Sequence, residues 1–319
     1  MIENTTGFGL IAVEKKAGRV VFLDPATLGC TAAITDLPPK PHELLIPPLS
    51  GKAYVPIFGD GIHGDNPHPQ STIAVIDLAA QSLRTLIDIA PYKAPHTVRQ
   101  GSNGLIYCCC EASAAVVVID PASDEMVGAI DIGSTKVHRL ATVPGRDRLV
   151  TEAEEDGLLS LVRIEGSAGQ VIKELSLEGG TNGIAAAPTR PWIVATAGDR
   201  PELHVVDRDD LGHVRTLPLP GHTQKGQIAR YRPDGAILAV IGNFDPVASL
   251  YDADLNHLFT AEVQDKPLDG AFSPDGRLFL VANEDSDTTS VIDLTTGRTR
   301  AHVPVDSGFE VLAYYPLAS

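Results

Sequence analysis

Short apolar runs separated by polar turns fill this chain. The clearest stretch is Ser273–Arg298, SPDGRLFLVANEDSDTTSVIDLTTGR. It reads as a Pro-Asp-Gly turn, the apolar run LFLVAN, a polar turn, the run TTSVIDL and a further turn. Runs of this length, bounded by Gly, Pro, Asp and Ser, predict β-strands. The same order returns as RPDGAILAVIGNFDPVASLYDADLN from Arg232 and SNGLIYCCCEASAAVVVIDPASDE from Ser102. It returns again as SGKAYVP from Ser50 followed by STIAVIDLAAQS from Ser71, and in weaker form from Pro144 and Pro188. Gly at 29 and Pro at 24 supply the turns and argue against long helices.

The two ends are the informative exceptions. The N-terminal copy, GFGLIAVEKKAGRVVFLDPATLG, lacks the strand that should precede its turn. Phe309–Pro316, FEVLAYYP, follows the last complete unit as an inner strand with nothing after it. One unit split between the termini predicts a closed ring, because a solenoid would carry capping units instead. The expectation is therefore an all-β chain, 1–319, forming a single seven-bladed β-propeller of four-stranded blades. Its C-terminal strand would complete the N-terminal blade by pairing with the Gly9–Glu14 strand.

Counting six residues back from each Pro-type turn gives one ring of equivalent positions: His42, His96, His138, Asn182, Gln227, Leu268 and Glu310. They recur about every 43 residues, the spacing of a four-stranded blade, apart from a first interval about eleven residues longer. The excess lies in Phe58–Gln70, FGDGIHGDNPHPQ, between the second and third strands of blade two. Connections of this kind are usually functional or disordered. This one is expected over the pocket, with His63 or His68 reaching a ligand.

The units SPDGRLFLVAN and SVIDLTTG resemble those of the YVTN-repeat, lactonase-like seven-bladed propellers. That superfamily includes 6-phosphogluconolactonase-type and streptogramin lyase-type enzymes and many proteins without known activity. The resemblance covers the whole chain, but its signature residues form turns and core strands. It implies a scaffold, on which function remains to be argued from the site. In that scaffold the inner strands begin at the face where the second-to-third-strand loops emerge, which would bring the long loop above the ring of polar residues.

Four successive blades then present Glu310, His42, His96 and His138. Neutral imidazoles and a carboxylate suit a divalent metal, Zn, Fe, Mn or Mg. A metal-free polar pocket and a purely structural ring use the same residues. Asn182 and Gln227 can orient a ligand, and Tyr92, in APYKAPH, can wall the pocket or cover a blade edge. Arg139 is a candidate catalytic cation that can equally pair with the acidic run Glu152–Asp156, itself read as a solvated turn. His63 and His68 complete the catalytic candidates.

Composition narrows the classes. Hydrophobic residues are 43% and charged residues 21%, as in globular proteins. Lys plus Arg number 25 against 41 Asp plus Glu, a net charge of −16, which repels nucleic acid and anionic membrane surfaces. Aromatic content of 5% offers no base-stacking platform. There is no GxGxxG opening a helix, and no Walker A, GxSxG or HExxH motif, so no nucleotide or flavin cofactor is expected. Cys108–Cys110 are consecutive and read as strand packing, and no CxxC occurs. The opening MIENTTGFGL has no basic-then-apolar leader pattern, so a cytoplasmic protein is expected. Its expected partner is a small molecule, and nothing in the sequence sets an oligomeric state.

The reading that follows is a small-molecule enzyme with a histidine-rich, metal-capable site at the top of the pore. Its chemistry would be non-redox: lactone hydrolysis, elimination, cyclisation or isomerisation. The alternatives are a non-catalytic propeller binding a protein or ligand on its face, and a three-His, one-Glu iron oxygenase.

Overall fold

In the computed structural model, which describes residues 6–134 and 136–317, the strands assemble into seven antiparallel sheets arranged as blades around a pore. Blade one is made of Phe8–Glu14, Arg19–Leu23 and Cys30–Ile34, closed on its inner side by Val311–Pro316. The closing register runs from Phe8 opposite Pro316 to Val13 opposite Val311. No helix among the described residues is long and apolar enough to cross a membrane.

Each blade turns for the same local reason. In blade seven, Ser273 Oγ donates to Asp275 Oδ1 at 2.6 Å and accepts from Leu278 N at 2.9 Å. Gly276 supplies the positive φ of +68° that this Pro-Asp-Gly turn requires. At the other hairpin Asp293 Oδ1 accepts from Thr295 N and Thr296 N, an Asx-type turn repeated at Asp24, Asp77 and Asp207.

The middle strands, such as Leu278–Asn283, are buried throughout because each sheet packs a neighbour on both faces, so they read as continuous apolar runs. Outer strands such as Arg298–Pro304 meet solvent and alternate. Each blade interface is an apolar cluster of its own. Ile11, Val13, Val55 and Ala74 join blades one and two, and Leu140, Leu149, Val116 and Val118 join blades three and four. Cys108, Cys109 and Cys110 belong to these interiors, where burial raises their thiols well above the ordinary range and leaves them unreactive.

Blade two departs from the expected regular four strands. Its sheet is Lys52–Gly59, Pro69–Asp77 and Ser82–Asp88, and the innermost segment, 40–45, joins it only through the bridges Pro41–Ile57 and Leu45–Tyr54. Prolines at 38, 39, 41, 47 and 48 remove the N–H donors that a continuous ladder needs.

Candidate active site

Most of the ring of equivalent positions is built by a bulge. In blade four the pairing slips between Val137–Ala153 and Arg139–Glu152, leaving His138 unopposed. The same slip leaves Gln227 and Leu268 unpaired in blades six and seven, while a two-residue version leaves His96 and Thr97 in blade three and Asn182 and Gly183 in blade five. In blades three to seven a bulge at the start of the inner strand takes these residues out of the ladder, and there the recurring spacing in the sequence is its trace. Blade one closes without such a shift, and the inner segment of blade two makes only isolated bridges.

Around blades two to four the imidazoles form a row. Ring centroids of His42 and His96 are 4.2 Å apart, those of His96 and His138 3.8 Å, and those of His138 and His63 4.0 Å. His63 enters from the long loop, which is a built element. Ile62 and Asp65 exchange backbone bonds of 2.9 and 3.0 Å, Asn66 bridges Gly61 N and Phe58 O, and Lys40 Nζ donates to the carbonyls of Asp60 and Gly61.

Glu111, which follows the second strand of blade three, organises the outer end of the row. Its Oε2 accepts from His63 Nδ1 at 2.8 Å and His138 Nδ1 at 2.9 Å, and its Oε1 accepts from Gly64 N at 2.9 Å. Burial would raise this carboxyl, but the bonds to His138 and His63 outweigh it and hold Glu111 far below the ordinary carboxylate range. An ionised carboxylate only accepts, so both imidazoles carry their proton on Nδ1 and bare their Nε2 lone pairs. His63 Nε2 is buried without a hydrogen-bond partner, and His138 Nε2 lies 3.6 Å from Glu154 Oε2.

His63, His138 and Glu154 thus bring one donor atom each within 4.8 Å of one another. Two lone pairs and a carboxylate facing one space are mutually repulsive until a cation joins them. The pKa directions express the same deficit. Burial pushes Glu152 and Glu154 up, and their mutual repulsion adds to it. Burial also drives His42 and His96 well below the usual imidazole value, and His138 to about 3. His63 is raised, because Glu111 and the nearby carboxylates overcome its own desolvation. Orienting carboxylates behind imidazole ligands are a usual feature of metal centres, so these residues fit a divalent ion.

The converging donors differ from the expected set. Of His42, His96, His138 and Glu310, only His138 belongs to the triad. Glu310 forms an ion pair with Lys15 and lies 3.6 Å from His42 Nε2, deeper in the pore. His96 Nδ1 faces Thr97 Oγ1 at 3.1 Å. Arg139 is buried, not a surface partner of the acidic run. It donates to Glu43 Oε1 at 3.1 Å and to the Asn182 carbonyl at 2.6 Å. Glu43, between Arg99 and Arg139, is lowered to about 2 by those cations despite its burial. The run Glu152–Asp156 is no solvated turn throughout: Glu152 is fully buried and accepts from Thr181 Oγ1 at 2.8 Å.

Two candidates stand apart. His68 has 77% of its side chain exposed and bonds Asp60, outside the pocket. Tyr92 packs against the apolar core between blades two and three. Gln227 lines the pocket, while Asn182 is wholly buried behind it, its Oδ1 3.3 Å from Lys225 Nζ.

Glu111 and Glu154 were legible by the rule that found the imidazoles. One position past the second strand of each blade stand Lys15, Asp60, Glu111, Glu154, Gly198, Asn243 and Glu284. This is a second ring above the first.

Two spaces adjoin the triad. A small, deep one of about 150 Å³ runs past His42, His96 and Glu310, and an open cleft of about 670 Å³ lies between His63, His138 and Glu154 on one side and Lys225, Asn243 and Phe244 on the other.

No family model matches the chain, and neither does any curated protein sequence. Solved structures do. The likeness is one of fold. A protein of unknown function from Desulfotomaculum acetoxidans DSM 771 superposes with a TM-score of 0.79 at 11% identity, over 97% of this chain and 99% of that one. The periplasmic gluconolactonase PpgL of Pseudomonas aeruginosa gives 0.76 at 17%, over 98% and 99%. Hydrazine synthase of Kuenenia stuttgartiensis gives 0.73 at 16%, over 88% and 90%.

Proposed function

We propose that this protein is a metal-dependent enzyme of non-redox carbonyl chemistry, and that hydrolytic opening of a small lactone is the reaction its site suits best. The observation that carries the reading is Glu111, which holds two imidazoles with both Nε2 atoms bare beside the Glu154 carboxylate. His63, His138 and Glu154 would hold the ion. A bound divalent metal polarises a carbonyl oxygen and acidifies water. The open cleft admits a substrate beside the triad. Glu154, which lines the cleft and is pushed up by burial, has in its second carboxylate oxygen the proton affinity to take a proton from the attacking water and return it to the alkoxide released when the ring C–O bond breaks. The blade grammar and the gluconolactonase among the structural neighbours support placing the chain with the lactonase-like YVTN-repeat propellers.

The second reading, a non-catalytic propeller that holds an ion or ligand, is favoured by the row itself. Four adjoining imidazoles offer more donors than one ion uses. Untagged protein should contain near-stoichiometric metal by elemental analysis and hydrolyse members of a lactone panel in a pH-stat, with His138→Ala losing both. Stoichiometric metal without turnover selects the second reading. Metal-free wild-type protein with full turnover removes the metal from the first.

A further inference from the structure

Across the cleft from the triad stands a lysine that forms no salt bridge among the described residues. Lys225 Nζ lies 3.3 Å from Asn182 Oδ1 and 6.0 Å from the centroid of the Phe244 ring. Among the described residues no carboxylate comes within 4.0 Å of it. The other lysines around this pore are committed. Lys266 is 2.5 Å from Glu284, Lys16 is 2.6 Å from Asp285, and Lys15 is paired with Glu310. In a chain of charge −16, a pocket lysine that meets an amide and an aromatic ring instead of one of 41 carboxylates is unusual.

Its loop is pre-organised. Asp245 accepts from Thr223 N at 2.7 Å, Gln224 N at 2.6 Å and Thr223 Oγ1 at 2.6 Å, fixing the backbone that leads into Lys225. Asn243 Nδ2 donates to Gln227 Oε1 at 3.3 Å, which leaves the Gln227 amide hydrogens uncommitted among the described residues. The rim is apolar. Phe244 is 60% exposed and Ile62, from the long loop, is 68% exposed, and both line the cleft.

We infer that the cleft binds a small monocarboxylate with an apolar body, its carboxylate on Lys225 and Gln227 and its apolar part between Phe244 and Ile62. This rests on the catalytic reading above only for the reacting end, which then faces His63, His138 and Glu154. A single lysine with amide donors matches one negative charge. The aromatic ring beside the lysine covers the substrate's hydrocarbon.

The test uses the full chain and two probes of equal shape, phenylacetate and phenylacetamide, titrated calorimetrically into chelator-treated protein. Phenylacetate is expected to bind, and phenylacetamide about tenfold more weakly or not at all. Lys225→Met should weaken phenylacetate about tenfold or more, and Lys225→Arg should restore most of it. Zinc affinity, measured in Lys225→Arg, which keeps the positive charge in the cleft it shares with Glu154, should stay within about twofold, since Lys225 is not a donor. Equal binding of the two probes, no binding of phenylacetate at millimolar concentration, or an unaffected Lys225→Met protein overturns the inference. Wild-type protein that binds phenylacetate through Lys225 but takes up no zinc removes the metal reading and leaves this one standing.

Discussion

Blades four and five begin alike and end in different chemistry. Both carry the bulge at the start of the inner strand, with His138 unopposed in one and Asn182 in the other. One strand later, blade four presents Glu154 where blade five has Gly198. A side chain at Gly198 would strike the backbone of Gly179 and Thr181 at under 3.0 Å, so that place is filled by main chain. The scaffold is the same on both sides of the pore. Two positions per blade decide whether it offers an imidazole and a carboxylate, as in blades three and four, or amides and packing, as in blade five. Blades six and seven add cations at the next level, through Lys225 and Lys266.

Removing His138 should break the difference between the halves most severely. His138→Ala deletes a donor from the centre of the row, and zinc affinity should fall by more than about a hundredfold, beyond the upper range for losing an orienting partner. Competition titration against a chromogenic chelator reads this directly. Glu111→Gln comes next. Both imidazoles bond Oε2 and Gly64 N bonds Oε1, so the amide NH2 must face either the two Nδ1–H groups or the Gly64 N–H, and affinity should drop about 10–100-fold. An unchanged affinity in this variant would mean that Glu111 merely fills space.

The pH response should be smaller and confined to the imidazole half. His42, His96 and His138 are buried neutral, with folded pKa values below the unfolded value near ~6.5. Below that pH the unfolded chain binds more protons. These groups therefore contribute stability above about pH 6.5, and it is lost as pH falls toward their depressed values. Thermal melts of metal-free protein should show Tm falling from about pH 6.5 downward, with a weaker fall in His96→Gln. Glu152 has the opposite sign. Its raised pKa stabilises the fold at low pH, and that contribution is lost as pH rises through the folded value. On the other side of the pore, Gln227→Ala should change zinc affinity by less than about twofold, since distant sites act independently. A larger change would show that the halves are coupled.

The ring, the seam and the inner-strand column could be read from the sequence because each is a register property, repeated in every blade. Glu111 and Glu154 could not be told from solvated acids by their neighbours alone. What buries Glu111 is the loop around Gly64 and a histidine on the next blade, both remote in sequence. His63 and His68 looked equivalent in FGDGIHGDNPHPQ. They part because the Ile62–Asp65 exchange turns His63 inward, while His68 remains with Asp60 at the surface. Arg139 seemed destined for nearby acids, yet its partner is Glu43, on the inner segment of blade two.

The seam between the first and last strands has a consequence for how the site comes into being. Glu310 N donates to Val13 O at 2.8 Å, and the Glu310 carboxylate sits beside His42 at the inner end of the imidazole row. Val13 and its partner Val311 are made about 300 residues apart, which at about 5–20 residues per second means about 15–60 s of synthesis. For about the last 170 residues of that stretch, from His138 to Val311, the histidines of blades two to four exist on an unclosed arc. An ion present in the compartment of synthesis can meet them from the side. Once the last strand zips into place, an ion bound as proposed would enter by the cleft lined by Ile62 and Phe244, and the order of translation and metal encounter would become part of how the protein is charged.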